Sequence, residues 1–127
     1  MKLLIDAHAW IEYLLGSQKG EKLNEILLNE ENEIKVISIT ISEVLSKTKR
    51  MGMNIETAYN SIINNSEIIE TNAQSAKEAG LLHAKMKNEG SSIGIVDCLL
   101  IKTAIQTNSK LVTGDLHFKN FKEAIIL

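Results

Sequence analysis

Apolar positions change their period abruptly at residue 6. Leu3, Leu4 and Ile5 form an unbroken triplet, as in a strand covered on both faces. From Ala7 onward, Ala7, Trp10, Ile11, Leu14 and Leu15 recur at helical spacing. Asp6 is therefore expected at the carboxyl end of a strand, where the chain turns into a helix. Open parallel sheets bind ligands at that edge.

The same reading carries along the chain. The first helix is predicted to run from Ala7 to Leu15 and to close at Gly16. A second covers about Lys19 to Asn29, with Leu23, Ile26 and Leu27 on one face. The β-branched stretch Lys35–Ile39 predicts a strand, and Thr40 opens a helix to Arg50 that Gly52 closes. Asn54 caps the next helix, whose stripe is Ile55, Tyr59, Ile62 and Ile63; Ile68 and Ile69 suggest a third strand. A longer helix is predicted from Asn72 to Asn88, with Ala76, Ala79, Leu82 and Met86 at core spacing and Gly90 at its end. Gly80 inside it costs about 1 kcal/mol relative to alanine and does not break the pattern. Ser92 to Thr107 predicts a further helix, Lys110 to Thr113 a fourth strand ending in a Gly114–Asp115 turn, and Ile125 to Leu127 an edge strand. Strands alternating with helices imply an α/β fold: a mainly parallel sheet of four to five strands with helices on both faces.

Composition narrows the classes. The chain has 127 residues, 44% hydrophobic and 24% charged, which fits one folded domain over 1–127 and excludes a disordered chain. A formal net charge of -2 means that any nucleic-acid contact must come from a local basic patch. Cys98 is the only cysteine, so no disulfide forms within the chain. No basic-apolar leader and no apolar run of about 18 residues are present, so the chain reads as cytoplasmic with no membrane partner. Proline is absent, which leaves helix ends to Gly and to Asn, Ser or Thr caps.

Four acids carry the candidate chemistry, and each has a plainer alternative. Asp6 is placed to cap the first helix. Thr40-Ile41-Ser42-Glu43 reads as a capping box, which would occupy Glu43 with a backbone donor. Asp115 follows Gly114 as an ordinary turn residue would. Asp97 fits the plain reading least, because it interrupts the apolar run Ile93–Ile101 and Lys102 faces another side of the helix. Taken together, Asp6 and Asp115 follow strands while Glu43 and Asp97 lie about a turn into helices, so a parallel sheet would gather all four at one edge. Oxygen donors without a His or Cys cluster suit a hard cation such as Mg²⁺ or Mn²⁺, not zinc.

In this order Ile5-Asp6, Thr40-x-x-Glu43, Asp97 in an apolar helix and Thr113-x-Asp115-x-x-Phe118 resemble the PIN domain, especially the small stand-alone toxins of the VapC type. The resemblance spans nearly the whole chain. It implies a three-layer α/β/α sandwich and a metal-dependent ribonuclease, usually a homodimer, held inactive by a cognate antitoxin. It further implies that Asp6, Glu43, Asp97 and Asp115 form the acidic site, with Asp6, Asp97 and Asp115 as metal ligands and Thr113 as the accompanying hydroxyl. Two departures stand out: Ala7 and His8 follow the first Asp where many relatives have a hydroxyl, and His117 stands where a further acid often lies. One resident ion, with a second brought by substrate phosphate, is as consistent with this set as two.

An acidic site repels RNA, so basic groups are expected around it. Lys47, Lys49 and Arg50, with Lys119 and Lys122, are the candidates for phosphate contacts, which carry affinity but no base information. Trp10, Tyr13 and Cys98 read as core residues, and His8, His83 and His117 are not at metal-ligand spacing. A housekeeping RNA-processing nuclease and a catalytically weak RNA- or protein-binding module stand as alternatives to the toxin.

Overall fold

A computed structural model describes residues 1–127. Five strands, β1 (Lys2–Ile5), β2 (Glu33–Ile37), β3 (Glu67–Ile69), β4 (Lys110–Thr113) and β5 (Ala124–Ile126), form one sheet in the order β3-β2-β1-β4-β5. Every neighbouring pair is parallel. Six helices connect them: α1 (Ala7–Leu15), α2 (Gln18–Leu28), α3 (Ser38–Arg50), α4 (Ile55–Asn65), α5 (Ala73–Asn88) and α6 (Ile95–Gln106), with a 3₁₀ turn at Leu116–Phe118.

Alternate side chains of β1 feed two cores, which makes the sandwich three-layered. Leu3 and Ile5 pack with Trp10, Leu23, Val44 and Ile62 from α1 to α4. Leu4 packs with Ala79, Cys98, Ile101 and Ala104 from α5 and α6. Trp10 is fully buried and meets Tyr13 edge-on at a centroid distance of 5.9 Å, a helix-packing role as expected. No helix is long and apolar enough to cross a membrane.

The chain lays β2 and β3 on one side of β1, then crosses with α5 and α6 over the opposite face to lay β4 and β5 on the other. The topological switch thus falls between β1 and β4, and a ligand crevice forms beyond their carboxyl ends. Asp6 directly follows β1 and Asp115 follows β4 by two residues, one on each lip of that crevice.

Several local signals operate as expected. Gly16 closes α1 at φ 66°, a left-handed conformation that only glycine adopts at no steric cost, and its N–H returns to the Tyr13 carbonyl. Asn54 and Asn72 cap α4 and α5, accepting the N–H of Thr57 at 3.0 Å and of Ser75 at 2.9 Å. Gly80 is carried inside α5.

Two helix starts differ from expectation, and both bear on the site. Helix α3 begins at Ser38, so β2 ends at Ile37 and not at Ile39, and no side chain caps the helix. Thr40 is buried within the first turn with its hydroxyl unpartnered, so the Thr40–Glu43 capping box does not form. Burial of Thr40 and Val44 against the sheet fixes where this helix starts, overriding the local cap signal. Helix α6 begins at Ile95 and not Ser92, with Gly94 as its N-cap. Asp97 is therefore the third helical residue, where a carboxylate reaches a backbone donor.

Candidate active site

Each of the three aspartates anchors one oxygen on a backbone N–H at the start of its own helix or turn. Asp6 Oδ1 accepts from Ala9 at 2.8 Å. Asp97 Oδ2 accepts from Gly94 at 3.1 Å, and Asp115 Oδ1 accepts from His117 at 2.9 Å. The capping and site readings, posed as alternatives by the sequence, thus coexist: a cap occupies one carboxylate oxygen and fixes the direction of the other.

Thr113 ties two of the lips together. Its side chain is fully buried; its Oγ accepts the Asp115 N–H at 2.9 Å, and its hydroxyl stands where it favours the charged form of Asp6. The two residues face each other across adjacent strands, because β1 and β4 pair with Ile5 opposite Val112.

Electrostatics show what this convergence does. Burial raises Asp6 from 3.8 to about 7, against the opposing help of the Thr113 hydroxyl and the Ala9 N–H, and the charges of Asp97 and Asp115 push it further up. Asp97 is also raised, first by burial and then by Asp115, while its bond to Gly94 and the nearby His117 pull it back. Glu43 stands at the exposed wall of a cavity and is raised by partial desolvation and by Asp97. Asp6, Asp97 and Asp115 thus repel one another, and Glu43 joins through Asp97. The single ion-pair contact in the protein is His117 Nδ1 to Asp115 Oδ1, at 3.3 Å.

The acids nonetheless do not form a closed cage: no group of three or more His, Cys, Asp or Glu side chains stands in ligating arrangement. They line a crevice with like charges.

Beside it, a cavity of about 420 Å³ opens between α1 and α3, lined by Ala7, Ile11, Ser42, Glu43, Ser46, Lys47 and Arg50. Glu43, Lys47 and Arg50 are spaced by four and three residues and share a helix face, so the cavity runs from acid to base along α3. Of the expected basic residues, Lys47 and Arg50 line it; Lys49, Lys119 and Lys122 are exposed elsewhere. Cys98 is buried behind Asp97, with its thiol raised by burial and by that carboxylate, and has no partner for nucleophilic work.

Nothing in the sequence singles out Lys19, and His8 stands out only by its place directly after Ala7 beside the site. His8 and Lys19 both press on Gly114: a Cβ there would lie 2.5 Å from His8 Nδ1, and Lys19 Nζ donates to the Gly114 carbonyl at 2.8 Å. In the sequence Gly114 reads only as part of the turn before Asp115.

A five-stranded parallel sheet with acids at its switch point defines the class. The chain belongs to the PIN domain family, whose profile matches residues 3–124. Its fold is that of chains in solved toxin–antitoxin structures. It resembles one in VapBC2 from Rickettsia felis bound to a DNA fragment from its promoter, with 23% identity over 100% of this chain and 98% of that one, TM-score 0.75. It also resembles one in DNA-bound VapBC from Salmonella typhimurium, with 19% identity over 100% and 97%, TM-score 0.76. Mycobacterium tuberculosis VapC20, a sarcin-ricin loop cleaving toxin, shares 11% identity over 95% and 97%, TM-score 0.73. At these identities the likeness establishes the fold. No curated protein matches the chain by sequence.

Proposed function

We propose that this protein is a divalent-metal-dependent endoribonuclease acting as the toxin of a toxin–antitoxin pair. The observation that carries the reading is the Asp6 carboxylate: it is buried, its ionisation is opposed by Asp97 and Asp115, and no ion pair reaches it. A group that lets all three carboxylates ionise must be a cation, and an all-oxygen donor set suits Mg²⁺ or Mn²⁺. Asp6, Asp97 and Asp115 would hold it through the oxygens their caps leave free. When bound, such an ion supplies a Lewis acid that makes water nucleophilic near neutral pH and offsets charge on a phosphodiester.

The chain's own residues do the positioning. Backbone N–H groups lock Asp6, Asp97 and Asp115, and the Thr113 hydroxyl oxygen holds the Asp115 N–H beside Asp6. Glu43, free of any capping duty, is placed to accept a proton beside Asp97. Lys47 and Arg50 offset the repulsion between an acidic crevice and an RNA backbone. The sarcin-ricin loop cleavage by VapC20 and the VapBC complexes of the other relatives support an RNA substrate and a small antitoxin partner, and the resemblance to the VapC-type toxins implies a homodimer.

The test is RNA cleavage by purified protein with Mg²⁺ or Mn²⁺, after chelation, and with Asp97→Asn, which retains an acceptor for the Gly94 N–H. Cleavage that needs metal and is abolished by the substitution supports the reading. Cleavage untouched by chelation, or a wild-type rate in Asp97→Asn, overturns it. Growth arrest on expression, relieved by the same substitution, separates toxin from processing enzyme.

A further inference from the structure

Thr113 ends β4 and its carbonyl still accepts the Leu127 N–H at 2.9 Å, but the next carbonyl, that of Gly114, receives no backbone hydrogen bond. It is held from the crossover that follows β1. Lys19, the second residue of α2, donates its ammonium to the Gly114 carbonyl at 2.8 Å across 95 positions of sequence. This half-buried ammonium has no carboxylate partner, and the peptide oxygen is its only hydrogen-bond acceptor in the chain. A charge-assisted bond to a backbone carbonyl must outweigh the entropy of ordering a four-carbon stem.

Steric contact adds to this hold on the side of Gly114 where a side chain would stand. A Cβ at Gly114 would stand 2.5 Å from Nδ1 and 2.7 Å from Cε1 of His8, and 3.2 Å from Cδ of Lys19. Only glycine lets the peptide lie this close to both side chains. His8 Nδ1 is buried and makes no hydrogen bond, so the ring acts there as a wall.

The geometry points to Lys19 as a positioning residue: with His8 it clamps peptide 114, and so holds Asp115 and the Thr113 hydroxyl in fixed relation to Asp6. The clamp stands on these contacts alone; its catalytic consequence rests on the nuclease reading.

The test compares the full chain with Lys19→Met, which keeps a similar stem and removes the ammonium, and Lys19→Arg, which restores a cationic donor. Hydrogen–deuterium exchange of the metal-free protein reads the loop without any activity. In Lys19→Met the amides of Asp115 and His117, which donate to Thr113 Oγ and Asp115 Oδ1, should exchange about tenfold faster while β4 stays protected. Lys19→Arg should return them toward the wild type. On RNA, Lys19→Met should lower kcat by about tenfold to a hundredfold with KM within about twofold. Unchanged loop exchange overturns the clamp, as does faster exchange throughout β4 and α2, the mark of a general folding role. A raised KM at constant kcat overturns the positioning role in favour of a direct RNA contact. If the wild type cleaves no RNA, the nuclease reading fails while the exchange arm still decides the clamp.

Discussion

Asp6→Asn isolates the electrostatic strain at the switch point. The amide oxygen replaces Oδ1 as acceptor for the Ala9 N–H, so the cap survives. What disappears is a carboxylate raised from 3.8 to about 7. Between those values the folded protein keeps a proton that the unfolded chain has released. Stability therefore falls as pH rises through that window and levels off above about 7. The full difference corresponds to about 4 kcal/mol, at about 1.4 kcal/mol per tenfold change in proton affinity. In chelator at about pH 8, the variant should exceed the wild type by up to that amount, or on the order of 10 °C in Tm. The advantage should shrink to about 1 to 2 kcal/mol at about pH 5 and vanish below about pH 4. Denaturant or thermal unfolding across pH measures it. Adding Mg²⁺ or Mn²⁺ should stabilise the wild type, by about 2.7 kcal/mol at a hundredfold excess over Kd, and narrow the gap. A variant no more stable than the wild type at about pH 8, or a difference that ignores pH, would refute the reasoning.

Glu43→Gln should leave stability within about 0.5 kcal/mol, because the carboxylate caps nothing, while lowering RNA cleavage at least about tenfold; melting curves and a cleavage assay check the two halves. Gly114→Ala should cost about 1 to 3 kcal/mol through collision with the His8 ring, and His8→Ala in the same chain should recover part of that loss in a double-mutant cycle. Lys47→Ala and Arg50→Ala should weaken RNA binding similarly for all sequences and each reduce the salt dependence by about one phosphate contact, measured by titrating affinity against ionic strength.

Much of this architecture is local information. The apolar triplet before Asp6, the helical period after it, Gly16, the Asn54 cap and the Lys110–Thr113 strand all lie in the sequence as short-range patterns, and each forms where expected. Because strands alternate with helices and parallel connections place carboxyl ends together, the convergence of Asp6, Asp97 and Asp115 also follows from the sequence. Tertiary packing decided the rest. The starts of α3 and α6 shifted by two and three residues from Thr40 and Ser92 to Ser38 and Ile95; in α3, burial of Thr40 and Val44 outweighs a cap worth about 1 kcal/mol. Those shifts reversed two assignments: Glu43 lost its capping partner, and Asp97 gained one in the Gly94 N–H. The raised pKa of Asp6 and the grip of Lys19 on Gly114 have no local signature at all. Both arise from groups far apart in the chain that meet only when the sheet has ordered its strands, and short-range periodicity carries no record of such meetings.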